Sequence, residues 1–105
     1  MVIPLNFDTA YSFSEGLAAV KIDDKWGYID KTGRLVSQLQ FNEADNFSEG
    51  LARVRIGDKW GYIDKKGQVV IQLQFDEADS FSEGMARVKV GEEERYIDTM
   101  GDFMW

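Results

Sequence analysis

The chain has 105 residues, of which 44% are apolar and 13% aromatic, enough for one compact core and too few for two independent domains. It contains no Cys and no His, which excludes disulfides, thiolate or imidazole catalysis and Cys/His zinc sites. A net charge of −7 on a chain with 30% charged residues argues against disorder and a membrane partner, and it makes nucleic acid a poor candidate partner.

The N-terminal segment MVIPLNF lacks the positive region, apolar core and cleavage site of a secretory signal. As written, the chain is therefore expected to carry no secretion signal, and no apolar run approaches the ~20 residues of a membrane span. The compartment stays open, with the cytoplasm preferred.

The sequence repeats itself with a period of 34 residues. The run FSEG begins at Phe13, Phe47 and Phe81, and the first and second 34-residue segments are identical at 21 positions. A repeat of this length indicates stacked supersecondary units. We therefore predict one domain, residues 1–105, made of three repeats at about residues 2–35, 36–69 and 70–105.

Within each repeat, the elements follow in a fixed order. Apolar and basic residues alternate in ARVRI, which is the period of a β-strand, and a two-residue link then leads to a second alternating run, KWGYID. A D-x-x-G turn and a third strand such as QVVIQLQF come next, followed by a loop such as NEADNFSEG. The predicted fold is all-β, a tandem array of three three-stranded antiparallel meanders.

The two-residue link also predicts the cross-strand register. It places Lys21 opposite Trp26, Arg55 opposite Trp60, and Lys89 opposite Glu94, where we expect an ion pair in place of a cation–aromatic contact. The missing side chains of Gly27 and Gly61 predict close approach of another strand or ring.

The core is expected to lie on the other face of each hairpin, with the third strands and two loop aromatics adding to it. The hairpin residues are Ala18, Val20, Ile22, Ile29, Ala52, Val54, Ile56, Ile63, Ala86, Val88, Val90 and Ile97. The added residues are Met1, Ile3, Leu5, Phe7, Leu35, Leu39, Phe41, Val69, Ile71, Leu73, Phe75, Phe47 and Phe81.

Two arrangements of the ends are compatible with the sequence. Residues 2–7 match a third strand that precedes its hairpin, and this strand can complete the last repeat and close the array. Alternatively, the array stays open and associates through its edges.

The segments DDKWGYIDKTG (residues 23–33) and GDKWGYIDKKG (residues 57–67) resemble the bacterial WG-containing, or KWG, β-repeat family. The third repeat departs from the motif, with Glu93, Glu94 and Arg95 where Lys-Trp-Gly is expected. The resemblance implies a tandem array of β-hairpins that acts as an interaction module and has no general enzymatic activity.

The most function-like feature is a set of aromatic and basic side chains on one face of the hairpins. These candidate binding residues are Trp26, Tyr28, Arg53, Arg55, Trp60, Tyr62, Arg87 and Tyr96. Such rings can bind a glycan or choline-like ligand by stacking, or they can pack between consecutive repeats under the Arg and Lys stems.

The loop acids, such as Glu43, Asp45, Glu77 and Asp79, lack the spacing of a calcium loop and are expected to form a solvated rim. The serines have no histidine to activate them, so no catalytic residue, metal or cofactor is predicted. We predict a non-enzymatic module that binds another protein, with self-association through sheet edges as one mode. The alternative is a module for a small ligand or glycan that uses the Trp and Tyr positions.

Overall fold

The computed structural model describes residues 9–104 with the exception of residue 12. In this part of the chain there are eleven β-strands and no helix, and hence no helix that is long and apolar enough to cross a bilayer. The strands are β1 (Thr9–Ala10), β2 (Leu17–Ile22), β3 (Lys25–Asp30), β4 (Leu35–Phe41), β5 (Glu43–Ala44), β6 (Ala52–Ile56), β7 (Lys59–Ile63), β8 (Val69–Phe75), β9 (Glu77–Ala78), β10 (Met85–Val90) and β11 (Glu93–Asp98).

The strands form three antiparallel sheets, one for each hairpin, and the third strands β4 and β8 complete the first and second sheets although they open the next 34-residue segment of the sequence. From here on, a repeat means the strands of one sheet. The strand orders of the sheets are β1-β2-β3-β4, β5-β6-β7-β8 and β11-β10-β9. The all-β tandem architecture is confirmed, and each meander gains a short strand that lies beside its hairpin. The prediction of a plain loop at NEADNFSEG was wrong at Glu43–Ala44, because the peptide groups there pair with β6, with the Asn42 N–H donating to the Arg55 carbonyl oxygen at 2.7 Å.

The predicted register of all three hairpins is confirmed. Lys21 lies opposite Trp26, Arg55 opposite Trp60 and Lys89 opposite Glu94. The first link has positive φ at both central residues, Asp23 and Asp24, as a type I′ turn requires. In the second and third links only the leading glycine has positive φ, which is the pattern of a type II′ turn.

The D-x-x-G turns form as predicted. In the second repeat, the Gly67 N–H donates to the Asp64 carbonyl oxygen at 3.0 Å, and the N–H groups of Lys66 and Gln68 donate to Asp64 Oδ1 at 2.9 and 3.0 Å. Gly67 takes a φ of 82°, which an L-residue adopts at a cost. The same bonds recur around Asp30 and Asp98.

A bulge in the third strand explains the glycine after the tryptophan. Between the Trp60–Phe75 pair and the Tyr62–Ile71 pair, β7 advances by two residues and β8 by four, so β8 bulges over Gly61. A Cβ at Gly61 would lie 2.7 Å from the Ile71 carbonyl oxygen and 2.8 Å from the backbone of Leu73. The predicted close approach is therefore confirmed at this position.

The repeats stack face to back, so both faces of a hairpin can be buried. We call the side that carries Tyr28 or Tyr62 the aromatic face and the opposite side the aliphatic face. One cluster joins Tyr28 on the aromatic face of repeat 1 to Val54 and Ile63 on the aliphatic face of repeat 2, and a second cluster joins Tyr62 to Val88 and Ile97 of repeat 3 in the same way. The loop residues Phe47 and Phe81 fill these layers as predicted.

The core predicted for the aliphatic face was too wide at the strand ends. It included Ile56, Val90 and Val69, which are 44%, 42% and 41% exposed. Ile56 and Val90 border the hairpin links and Val69 begins the third strand, so all three lie at the periphery of their sheets.

The three described sheets are open. In the third repeat, residues past β11 contribute one bridge, Ile97 to Phe103, in place of a full third strand. The predicted strand at residues 2–7, its core residues Met1, Ile3, Leu5 and Phe7, and the closed arrangement that depends on it lie outside the described residues.

Candidate functional site

Two of the candidate aromatic residues are fully buried between sheets. The Tyr28 and Tyr62 side chains are each 0% exposed, and they meet Phe47 and Phe81 edge to face at 5.0 and 4.9 Å between ring centroids. The rings therefore pack between consecutive repeats, as one of the two sequence interpretations predicts.

The hydroxyls of the same tyrosines bond to the next repeat. Tyr28 Oη donates to the Asp45 carbonyl oxygen at 2.5 Å, and Tyr62 Oη donates to the Asp79 carbonyl oxygen at 2.6 Å. Burial raises the pKa of both phenols above the ordinary value of 10, so both remain protonated donors at neutral pH. Each tyrosine therefore fills the apolar layer with its ring and binds the next repeat with its hydroxyl.

The tryptophans are partly covered by the protein's own side chains. Trp26 is 8% exposed and lies 4.9 Å from the Tyr11 ring, centroid to centroid. Trp60 is half-buried, and the guanidinium carbon of Arg53 lies 5.1 Å from its ring centroid. A ligand that stacks on this side of Trp60 would have to displace Arg53 from a cation–π contact.

Arg53 links two repeats. Its Nε and Nη2 atoms lie 2.9 and 2.8 Å from Asp45 Oδ2, and its Nη1 donates to the Ala78 carbonyl oxygen of the next repeat at 2.8 Å. Charge-assisted bonds of this kind fix a geometry more strongly than neutral ones. The guanidinium therefore makes its hydrogen bonds to Asp45 and Ala78 inside the stack.

The loop acids pair with these basic side chains. Glu43 lies 2.7 Å from Arg55, Asp76 lies 2.6 Å from Lys59, and Asp45 holds Arg53. The acids form a rim that stays partly solvated, since the Glu43 and Asp76 side chains are 55% and 38% exposed. Their carboxylates are also paired, because the short strands bring the loops alongside the basic faces of the hairpins. The Lys59 contact also lowers the pKa of the Asp76 carboxyl below its ordinary value.

Arg87 and Tyr96 lie on the aromatic face of the third repeat, which we call the end face. Both side chains are half-buried, and no further sheet of the described chain covers them. Arg87 Nε lies 3.1 Å from Asp79 Oδ2, and Arg87 Nη1 lies 3.6 Å from Glu94 Oε2. The predicted Lys89–Glu94 ion pair was wrong, since Glu94 turns to Arg87 and Lys89 lies 3.9 Å from Glu77.

The eight candidate residues consequently lie in three different places. Trp26 and Tyr28 belong to the layer between repeats 1 and 2. Arg53, Arg55, Trp60 and Tyr62 belong to the layer between repeats 2 and 3. Arg87 and Tyr96 belong to the end face. The surface of the described residues has no enclosed pocket, and no three of their acidic side chains are placed to share a metal ion.

Sequence reasoning missed a polar ladder that joins the repeats at their FSEG turns. Ser48 Oγ donates to the Phe81 carbonyl oxygen at 2.7 Å, and the Glu49 carboxylate accepts the N–H groups of Glu83 and Gly84 at 2.7 and 2.8 Å. The strict recurrence of Ser and Glu beside a glycine was the available signal. It marked the repeat boundary without revealing that these side chains reach into the next repeat.

Taken together, the stacked sheets and recurrent contacts define an all-β tandem-repeat protein. A family model for the WG containing repeat matches residues 1–26, 26–60 and 60–93 in three consecutive copies, and the chain belongs to this family. Neither the comparison with curated proteins nor the comparison with solved structures found a match.

Proposed function

We propose that this chain is a non-enzymatic module that binds another protein through its end face. The observation that supports this proposal is the position of that face in the stack. In repeats 1 and 2 the equivalent face is buried against the next sheet, whereas in repeat 3 it is left half-exposed. The half-exposed part of this face is thereby offered to a partner.

The composition of the end face favours a protein partner. It presents Arg87 and Tyr96, and the segment beside it exposes Phe103 and Met104 at 46% and 39%. Arg, Tyr, Phe and Met are the residue types enriched at protein interfaces, where they combine large contact area with directional polar groups. The acids that surround Arg87 leave the face mixed in charge and favour a partner with both basic and apolar groups.

Catalysis has little support in the residues present. The chain lacks His and Cys, and the loop acids Glu43, Asp45 and Asp76 are paired with Arg or Lys. A binding role requires neither an activated nucleophile nor a tuned base.

A comparative affinity capture tests the proposal. The immobilised chain and its Tyr96→Ser/Phe103→Ser variant are exposed to lysate of the source cells, and the retained proteins are quantified by mass spectrometry. Val70→Ser, at an exposed site on β8, is the matched control. We expect proteins retained by the wild type and the control to be lost from the double variant. Equal retention by all three would overturn the proposal, provided that circular dichroism shows the variants folded.

The ligand alternative is separated by a fluorescence titration. Of the two motif tryptophans, Trp60 is the half-buried one, so choline or an oligosaccharide that binds there would change the indole emission. A saturable change that is absent in Trp60→Phe would favour a small-ligand module. We expect no such change, because Arg53 already occupies one side of the ring.

A further inference from the structure

The polar ladder repeats with nearly constant geometry. In each step, a serine hydroxyl donates to the phenylalanine carbonyl of the next repeat, and a glutamate carboxylate accepts two consecutive N–H groups there. The distances in the first step are 2.8 Å for Ser14 to Phe47, and 2.8 and 2.9 Å for Glu49 and Gly50 to Glu15. In the second step each distance is shorter by 0.1 Å. The ladder is therefore a defined way for one repeat to bind the next.

The two ends of the stack carry opposite halves of this contact. At the third repeat, the Ser82 hydroxyl and the Glu83 carboxylate have no hydrogen bond to another described residue. At the first repeat, the Phe13 carbonyl and the N–H groups of Glu15 and Gly16 have none to another described residue. The last repeat of one copy thus presents the groups that the first repeat of a second copy would satisfy.

A second copy would also bring its residues 2–7, whose sequence is in phase with the third strand of repeats 1 and 2. Residues 2–7 share the Val and Phe anchors of β4 and β8, at Val2 and Phe7, one period before Val36 and Phe41. In repeats 1 and 2 that third strand pairs with the strand carrying the Trp-Gly motif, and Phe41 and Phe75 fill the layer between sheets with 0% exposure.

Arg95 obstructs this strand on the third repeat. It occupies the position of Gly61, where a Cβ would come within 2.7 to 2.8 Å of the bulged strand's backbone, closer than real Cβ contacts allow. Its guanidinium carbon instead lies 4.0 Å from the Phe103 ring centroid. A strand arriving with the geometry of β8 would therefore collide with the Arg95 side chain.

Glu94 engages an arginine that would otherwise bind the next repeat. In the second repeat, Arg53 Nη1 donates to the carbonyl oxygen of Ala78 in the third repeat. The equivalent atom, Arg87 Nη1, lies instead beside Glu94 of its own repeat. With Glu93, these residues make three consecutive charged side chains on β11, and charged edge strands resist pairing. Both departures from Lys-Trp-Gly thus disfavour the docking of another repeat.

We propose that the end face of the third repeat is complementary to the first repeat of a second copy, and that Glu93, Glu94 and Arg95 keep the two copies apart. The 105-residue chain then stays monomeric. When Lys-Trp-Gly is restored at these positions, the end face of one copy binds the first repeat of another copy, head to tail. The inference is independent of the proposed function, because it concerns a repeat as partner and holds whichever other protein binds.

Sedimentation equilibrium over a wide concentration range tests the proposal. We expect a constant monomer mass for the wild type and a mass that rises with concentration for Glu93→Lys/Glu94→Trp/Arg95→Gly. Adding Glu83→Gln to the triple variant should weaken its association by about tenfold or more, since it removes a charge-assisted acceptor of two N–H groups. Adding Glu92→Gln, the same charge change at an exposed hairpin residue, should leave association unchanged.

Three results would overturn the proposal. They are a folded triple variant that stays monomeric, a wild type that itself associates, and an association of the triple variant that Glu83→Gln does not weaken. If the triple variant does not fold, Arg95→Gly alone replaces it, because this change removes only the blocking side chain. We expect weak concentration-dependent association from this variant, and a folded Arg95→Gly protein with constant monomer mass would equally overturn the proposal.

Discussion

The hydroxyl of Tyr62 donates to the carbonyl oxygen of Asp79 at 2.6 Å, across the layer between the second and third repeats. The Tyr62 side chain is fully buried and Asp79 is half-buried, so the hydroxyl end of this bond is shielded from water. The side chain thereby couples the apolar packing of one repeat to the backbone of the next.

Replacing Tyr62 by Phe should destabilise the protein while leaving its ring packing in place. The substitution leaves the Asp79 carbonyl without this partner, and we expect a loss of about 1 to 2 kcal/mol in the free energy of unfolding. Urea denaturation followed by circular dichroism measures it. Tyr11→Phe, at a ring that is 40% exposed, should change the free energy little. Equal effects of the two changes would contradict the role assigned to the buried hydroxyl.

Replacing Gly61 by Ala should force β8 away from β7. The new methyl would meet the backbone of Ile71 and Leu73 at 2.7 to 2.8 Å, and overpacking of this kind costs about 1 to 3 kcal/mol. Thermal unfolding measures the loss. The matched control is Arg95→Ala at the equivalent site of the third repeat, where the change removes the contact with the Phe103 ring and the exposed ion pair with Glu93 at 3.4 Å, about 0.5 to 1.5 kcal/mol together. A Gly61→Ala variant as stable as the wild type would show that the bulge does not require glycine.

Glu15 should make stability depend on pH. Burial raises the pKa of its carboxyl, but the N–H groups of Gly50 and Glu49 and the Lys65 ammonium at 3.5 Å together hold the pKa below its ordinary value of 4.5. A lowered folded pKa means that the ionised side chain stabilises the fold above about pH 4.5, and this contribution is lost as pH falls through the folded pKa.

The comparison of wild type with Glu15→Gln measures this dependence. We expect the wild type to have the larger free energy of unfolding at pH 7, and the difference should shrink below about pH 4.5. Glu92→Gln serves as the control for a charge change at an exposed site. A difference that stays constant from pH 7 to pH 3 would show that the ionised carboxylate does not stabilise the contact between repeats.

Local geometry was predictable where it depends on neighbours along the chain. The two-residue links fix which residues face each other, so the pairing of Arg55 with Trp60 and of Lys89 with Glu94 followed from counting. The D-x-x-G turns were predictable for the same reason, since the Asp64 side chain and Gly67 act within a few residues.

Partners set by the three-dimensional arrangement were not predictable in the same way. Glu94 lies opposite Lys89 but does not pair with it, because the Arg87 guanidinium is also within reach, at 3.6 Å from the Glu94 carboxylate. Likewise, the sequence pattern at Glu43–Ala44 is typical of a loop. These residues form a strand only because β6 lies beside them and hydrogen-bonds to their peptide groups. In both cases the outcome depended on groups that the local pattern does not include.

The sequence by itself determined the 34-residue phase, the strands, their turns and their register, because these follow from short-range sterics and hydrogen bonding. Only the tertiary structure decided that both faces of a hairpin are buried and that Ser and Glu of one FSEG turn bind the next, since those contacts join residues 33 to 35 positions apart. Burial and side-chain partners depend on what is stacked against a face, and a strand pattern specifies only that one face differs from the other.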